Sequence, residues 1–379
     1  MRTVFAAMAI LLVALVALLF VEDGSSERAA PARVDVATIA ARVEQLRGLR
    51  FRQRPEPVTV SAETARREGL EDLDRSYPEA RRRADEEVLK LLGLIGPDVD
   101  LRKISASVFG EGVAGYYDPR TKRLRIVKGA TPGPLAEIVI AHELTHALED
   151  QHFGLALDPD ATDDAALARQ ALVEGTATLV MQEYLLRYVG AEQALGALLG
   201  GLDAGPELPP FLQQQLLFPY TGGLQFASAL KQRGGGTWKL VDLADRLRVP
   251  DSTEQVLHPE KWIEVEPPLP VRLRVDLGKQ WHRTAAGTWG EWQSAQLAGS
   301  DAAGWGGDRY ELWQRGTCTD APCRDDDVLV MRWRWDTRVA AAKFAAALRA
   351  RDDGAAIEHR GATVTYVLAP SRALANASA

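Results

Sequence analysis

The sequence predicts an α+β protein: a helix-rich core with a small β-sheet, followed by a smaller α+β module at the C-terminus. Three observations carry that expectation. Apolar residues recur at three- and four-residue spacing through much of the stretch before Leu269, which is the helical period. Val113-Ala114-Gly115-Tyr116-Tyr117 and Arg123-Leu124-Arg125-Ile126-Val127 flank the turn Asp118-Pro119-Arg120-Thr121-Lys122 and read as a β-hairpin. From Leu269 the pattern changes, with Val271, Leu273 and Val275 alternating, and strands Val328 to Trp335 and Thr363 to Leu368 set around a helix from Thr337 to Ala350. The expected divisions are an export segment over 1–24, a linker over 25–33, a core over 34–268 and the module over 269–379.

Val4 to Val21 are eighteen consecutive apolar residues after Arg2, followed by Glu22 and Asp23. That length lies between a cleaved signal and a spanning helix. The expectation is a retained single-pass anchor with the body outside the cytoplasm, and secretion is the outcome if the segment is removed. Val36, Ile39, Ala40, Val43 and Leu46 then mark a helix, Pro57 to Val60 a short strand, and Ser61 the start of another helix. A charged helix from Pro78 to Leu92 ends at Gly93 and the Gly96-Pro97 turn; its Arg81-Arg82-Arg83 run, set against Asp85-Glu86-Glu87, reads as a solvated face.

Composition narrows the function classes. With 379 residues, 46% hydrophobic and 26% charged, the chain is a globular protein, and a net charge of −7 without a basic block argues against a nucleic-acid partner. The only cysteines, Cys318 and Cys323, predict a small disulfide-closed loop in an exported chain.

The helix from about Pro134 to Phe153 carries His142-Glu143-Leu144-Thr145-His146. Four helical steps turn a side chain by about 400°, so the two imidazoles share a face one turn apart and can hold one metal ion. Glu143 lies about 100° further round than His142. It is poorly placed as a ligand and well placed to take a proton from a water in an open coordination position. A second helix, from about Ala165 to Tyr188, holds Glu174 in the apolar run Ala171-Leu172-Val173-Glu174-Gly175. A carboxylate there is expensive to bury without a cation. Glu174 is therefore the expected third metal ligand, with Gly175 letting the helix pack closely on another. Pairing with Arg169 is the competing explanation for Glu174, and Glu183 is the alternative donor.

His142 to His146 with Glu174 downstream resembles the gluzincin branch of the zincin metallopeptidases. Twenty-seven residues separate His146 from Glu174, more than in thermolysin-like enzymes. A nearer resemblance is to uncharacterised bacterial membrane-associated or secreted metallopeptidase-like proteins, carried by Gly115 to Pro119, His142 to Phe153, Leu172 to Ala177 and Ser252 to Glu260. It spans roughly Pro57 to Trp335 and implies a zincin-like core, Zn²⁺ and a peptide or protein substrate. In enzymes of that plan the strand beside the metal helix pairs with an extended substrate, and Gly115 would allow the approach.

A segment opened by Pro219 to Gly223 continues helically through Leu230, Gly234 to Gly236 break it, and Trp238 to Leu247 resume. His258, in a loop from Pro250 to Pro259, is the first candidate for stabilising an oxyanion, and Tyr220 the second. Asp150 is the candidate acceptor for a ligand imidazole. His152, His282 and His359 read as structural. The tryptophans and glycines around Trp289, Trp292 and Gly304 to Tyr310 read as core packing. The rival function is a non-catalytic binding or assembly protein of the cell envelope on the same scaffold; the intact Glu143 speaks against it.

Overall fold

Local capping chemistry sets most of the element boundaries. In the computed structural model, which describes residues 35–110, 115–128, 134–156, 158, 161–190, 208–298, 302–318 and 321–378, Asp35 accepts from the Ala37 amide and opens helix α1 (Val36–Arg47), which stops at Gly48 with φ 72°. Strand β1 (Pro57–Val60) leads to α2 (Ala62–Ser76), capped by Ser61 on the Thr64 amide. Then follow α3 (Glu79–Leu91), α4 (Leu101–Gly110), the hairpin β2 (Gly115–Asp118) and β3 (Arg123–Val127), and the metal-motif helix α5 (Pro134–His152). Thr162 caps α6 (Asp163–Tyr184), which ends in one π turn, Leu185–Val189. Next come α7 (Pro210–Arg233), α8 (Lys239–Arg246), α9 (Thr253–Leu257) and α10 (Pro259–Glu264). The remainder is β4 (Trp281–Gly287), α11 (Gly290–Ala298), β5 (Trp305–Arg315), β6 (Asp327–Trp335), α12 (Arg338–Arg351), β7 (Ala356–Arg360), β8 (Thr363–Leu368) and α13 (Arg372–Ser378).

The expected α+β class is what these elements form. Three strands lie in the order β1-β3-β2, with β1 parallel to β3 and β2 antiparallel to it, so β2 is an outer strand beside α5. Five antiparallel strands form a second sheet in the order β4-β5-β6-β8-β7. One hydrophobic core joins Val88 and Leu92, Leu172 of α6 and Phe226 of α7 to Leu312, Trp333 and Phe344, crossing position 268 without a break. A second cluster, Ile39 and Val43 with Leu144, Leu148 and Val180, embeds α5 between α1 and α6. Each such Leu contributes roughly 1.5–3 kcal/mol by leaving water.

Helices α6 and α7 meet at backbone contact. A Cβ added at Gly175 would sit 2.0 Å from the Gly223 main chain, and one added at Gly223 would sit 2.0 Å from the Ala171 carbonyl. Glycine at both positions is thus a steric requirement of the crossing.

Several expectations need correction. Pro219 lies inside α7, not at its start; Pro210 occupies the N-terminal turn, where a missing amide is harmless. The segment around His258 is two short helices, because Ser252 accepts from the Gln255 amide and Pro259 opens the next turn. Gly304 to Tyr310 mostly belongs to strand β5, and its glycines receive a crossing chain: the Leu269 amide donates to the Gly306 carbonyl at 2.6 Å. The nearby tryptophans are core, with Trp289, Trp305 and Trp333 all 0% exposed. The Arg81 run is a solvated face only at Arg83: Arg81 reaches Asp85 and Asp163, and Arg82 is buried. Cys318 and Cys323 are disulfide-bonded, as the spacing predicts. The apolar segment over 1–24 and the linker lie outside the described residues; among those described, no helix is long and apolar enough to cross a membrane.

Candidate metal centre

Adjacent turns of α5 deliver His142 and His146, and α6, packed on α7 at Gly175, brings Glu174 against both rings. The Nε2 atoms lie 3.0 Å apart, and Glu174 Oε2 is 3.2 Å from that of His142 and 3.3 Å from that of His146. Metal bonds of about 2.0–2.2 Å from nitrogen and oxygen donors set neighbouring donors of a tetrahedral ion about 3.3–3.5 Å apart. The triangle present here is close to that size. All three residues are buried, and they form a group able to hold a metal ion.

The electrostatics match that purpose. Burial opposes ionisation of Glu174, but the His146 charge and hydrogen bonds from both imidazoles overcome it and hold the carboxyl at about 2. Burial disfavours the charged form of His146, yet the Glu174 anion outweighs this and raises it to about 9. Burial lowers His142. The result is an anionic carboxylate beside one neutral and one protonated ring, a proton that a bound cation would replace. Among the described residues, both buried Nδ1 atoms are without a hydrogen-bond partner.

Glu143 occupies the position its place in the motif predicts, buried beside the ligand rings, and burial pushes its carboxyl up to about 7 against the His146 charge. The Tyr117 amide donates to its Oε2 at 2.6 Å. Because β2 pairs on one side with β3, this amide is on the strand's other edge, facing α5. The Tyr117 hydroxyl donates to Asp150 Oδ2 at 2.6 Å, as does Lys122 Nζ at 2.6 Å. Asp150 is therefore not the imidazole acceptor expected of it: four residues beyond His146, it turns toward the hairpin and two stronger donors. Sequence reasoning missed Tyr117 as the partner of Glu143, since a backbone amide leaves no signal in residue type.

Tyr220 is brought to the cluster. Three residues before Gly223 on α7, its buried ring stacks on His142 with centroids 6.1 Å apart. His258 is not: its Nε2 lies 3.0 Å from Glu291 Oε1, and it ends α9 and opens α10. Glu291 follows Gly290, which packs on Asp164 at the start of α6; Glu174 is ten residues further along, about 15 Å of helical rise. Arg169 donates to Asp245 and the Gly154 carbonyl, not to Glu174, and Glu183 pairs with Lys231. Gly115 allows a close approach, but by the Arg125 carbonyl of β3, which an added Cβ would meet at 2.7 Å. His152 and His359 bond backbone carbonyls.

Comparison with known proteins adds little to this geometry. Residues 280–378 match a domain of unknown function, DUF8575, which covers the second sheet and leaves the histidine motif outside. No curated protein matches the chain. Among solved structures, the chain is similar to a Chloroflexus aurantiacus protein provisionally named a hydrolase with a novel fold. The match has 17% identity and a TM-score of 0.36, over 69% of this chain and 97% of that one. That score is too low to transfer even the fold.

Proposed function

We propose that this chain is a zinc-dependent peptide hydrolase with a zincin-like core, exported and tethered by its N-terminal apolar segment. One observation carries the reading: three buried donors from two helices converge at 3.0 to 3.3 Å with a buried carboxylate beside the first. His142, His146 and Glu174 would hold the ion. Bound Zn²⁺ supplies Lewis-acid polarisation of a carbonyl and a water acid enough to ionise near neutrality.

The chain's own residues do the rest. Glu143, raised toward neutrality by burial, accepts the proton of the attacking water and returns it to the leaving nitrogen. The Tyr117 amide orients that carboxylate. In this reading Tyr220, whose ring lies beside His142, is the donor to the developing oxyanion. Strand β2 offers an extended edge next to α5 along which a peptide or unfolded protein lies.

The test measures bound metal and cleavage of a denatured-protein mixture by the full chain and by Glu143→Gln. Stoichiometric zinc in both, with chelator-sensitive cleavage by the wild type alone, supports the reading. Equal cleavage by the variant, or a wild type without metal, sinks it.

A further inference from the structure

Glu87 and Asp327 are both 2% exposed, and among the described residues neither has an ion-pair partner. They stand beside the Cys318–Cys323 disulfide. Glu87 Oε1 accepts from the Cys323 amide at 2.8 Å, while its Oε2 faces Cys318 Sγ at 3.4 Å, a sulfur with no hydrogen to give. The Asp327 carboxyl adjoins that of Glu87.

We propose that the dithiol form of this loop is a second metal site, in which Cys318, Cys323 and Glu87 bind a zinc-like divalent ion and the disulfide form binds none. The donor atoms lie within 4.8 Å of one another, and the Cα atoms of the two cysteines are 5.8 Å apart. Four intervening residues are within the ligand spacing common in thiolate zinc sites. Glu87 and Cys318 also line an open groove of about 1200 Å³ between α3 and the second sheet, which admits both ion and reductant. The chemistry balances. A dithiol or phosphine reductant gives two electrons and two protons to the disulfide and is itself oxidised, yielding two thiols. The ion then displaces both thiol protons to solvent, leaving a site with one net negative charge.

Cobalt(II) tests this apart from the histidine cluster, which contains no sulfur, so thiolate-to-cobalt charge transfer reports the second site alone. The full-length chain in detergent is reduced with a phosphine and titrated with Co²⁺. The charge-transfer band rises to one equivalent in reduced protein and is absent in oxidised protein. Glu87→Gln weakens binding by roughly tenfold or more. No band on reduction, or the same affinity in Glu87→Gln as in wild type, overturns the proposal.

Discussion

Two buried polar clusters sit along α6, one at its N-terminus and one at its middle, and they are built on opposite rules. At its N-terminal end Arg81 binds Asp163 at 2.9 Å and Asp85 at 3.1 Å, Tyr77 donates to Asp85, and Tyr310 approaches Asp163. Charges there are answered by charges of the chain itself. Eleven residues on from Asp163, Glu174 and the two histidines aim their donor atoms at one another, and among the described residues both Nδ1 atoms lack hydrogen-bond partners. Burial is common to both. What separates structure from site is whether the polar groups complete one another or converge on a point.

The largest expected difference between the clusters is functional. Glu143→Gln lowers hydrolysis by about 10²–10⁴-fold with the metal retained and thermal stability almost unchanged, as kinetics with metal analysis on the same preparation will show. The next effect is on the other cluster and on folding. Arg81→Ala leaves Asp163 and Asp85 without their cation and costs about 3 kcal/mol, read as a shift of the urea midpoint with metal content intact.

Gly175→Ala touches both properties. Its Cβ has no room against Gly223, so α6 and α7 must separate, costing about 1–3 kcal/mol and loosening the hold of Glu174. Calorimetry and zinc competition read the two losses. If stability falls while zinc affinity holds, the crossing does not position the ligand.

The smallest effect is a slope in pH. Burial pushes Asp164 up to about 8 from an ordinary 3.8, against donation from Thr253 and with Asp308 and Glu254 nearby. The folded state therefore holds a proton that the unfolded state has released, and stability falls as pH rises from about 4 to about 8. Asp164→Asn flattens that part of the profile, measured as melting temperature against pH.

The sequence made the metal helix legible because its information is local: residue spacing on one helix fixes which side chains share a face. Glu174 was legible for a different reason, the cost of a carboxylate among Ala171, Leu172 and Val173. Partners set by tertiary contact were not. His258 found Glu291 across 33 residues, and nothing near Pro259 announces it. Asp150 had the right angle from His146, but helix periodicity does not specify which way a rotamer turns. Arg81 to Arg83 looked solvent-facing because charge runs usually are, and two of the acceptors of Arg81, on Asp163 and Tyr310, lie 82 and 229 residues away. Strand β5 was obscured by Gly306 and Gly307, which are there to admit Leu269.

The Tyr117 amide has a consequence for timing. It belongs to the margin of the three-stranded sheet, and its single hydrogen is already committed to Glu143. One N–H cannot serve two acceptors at full strength. A chain docking along that margin through the same hydrogen must compete with the carboxylate, so occupancy of the strand and release of the acid are two readings of one exchange.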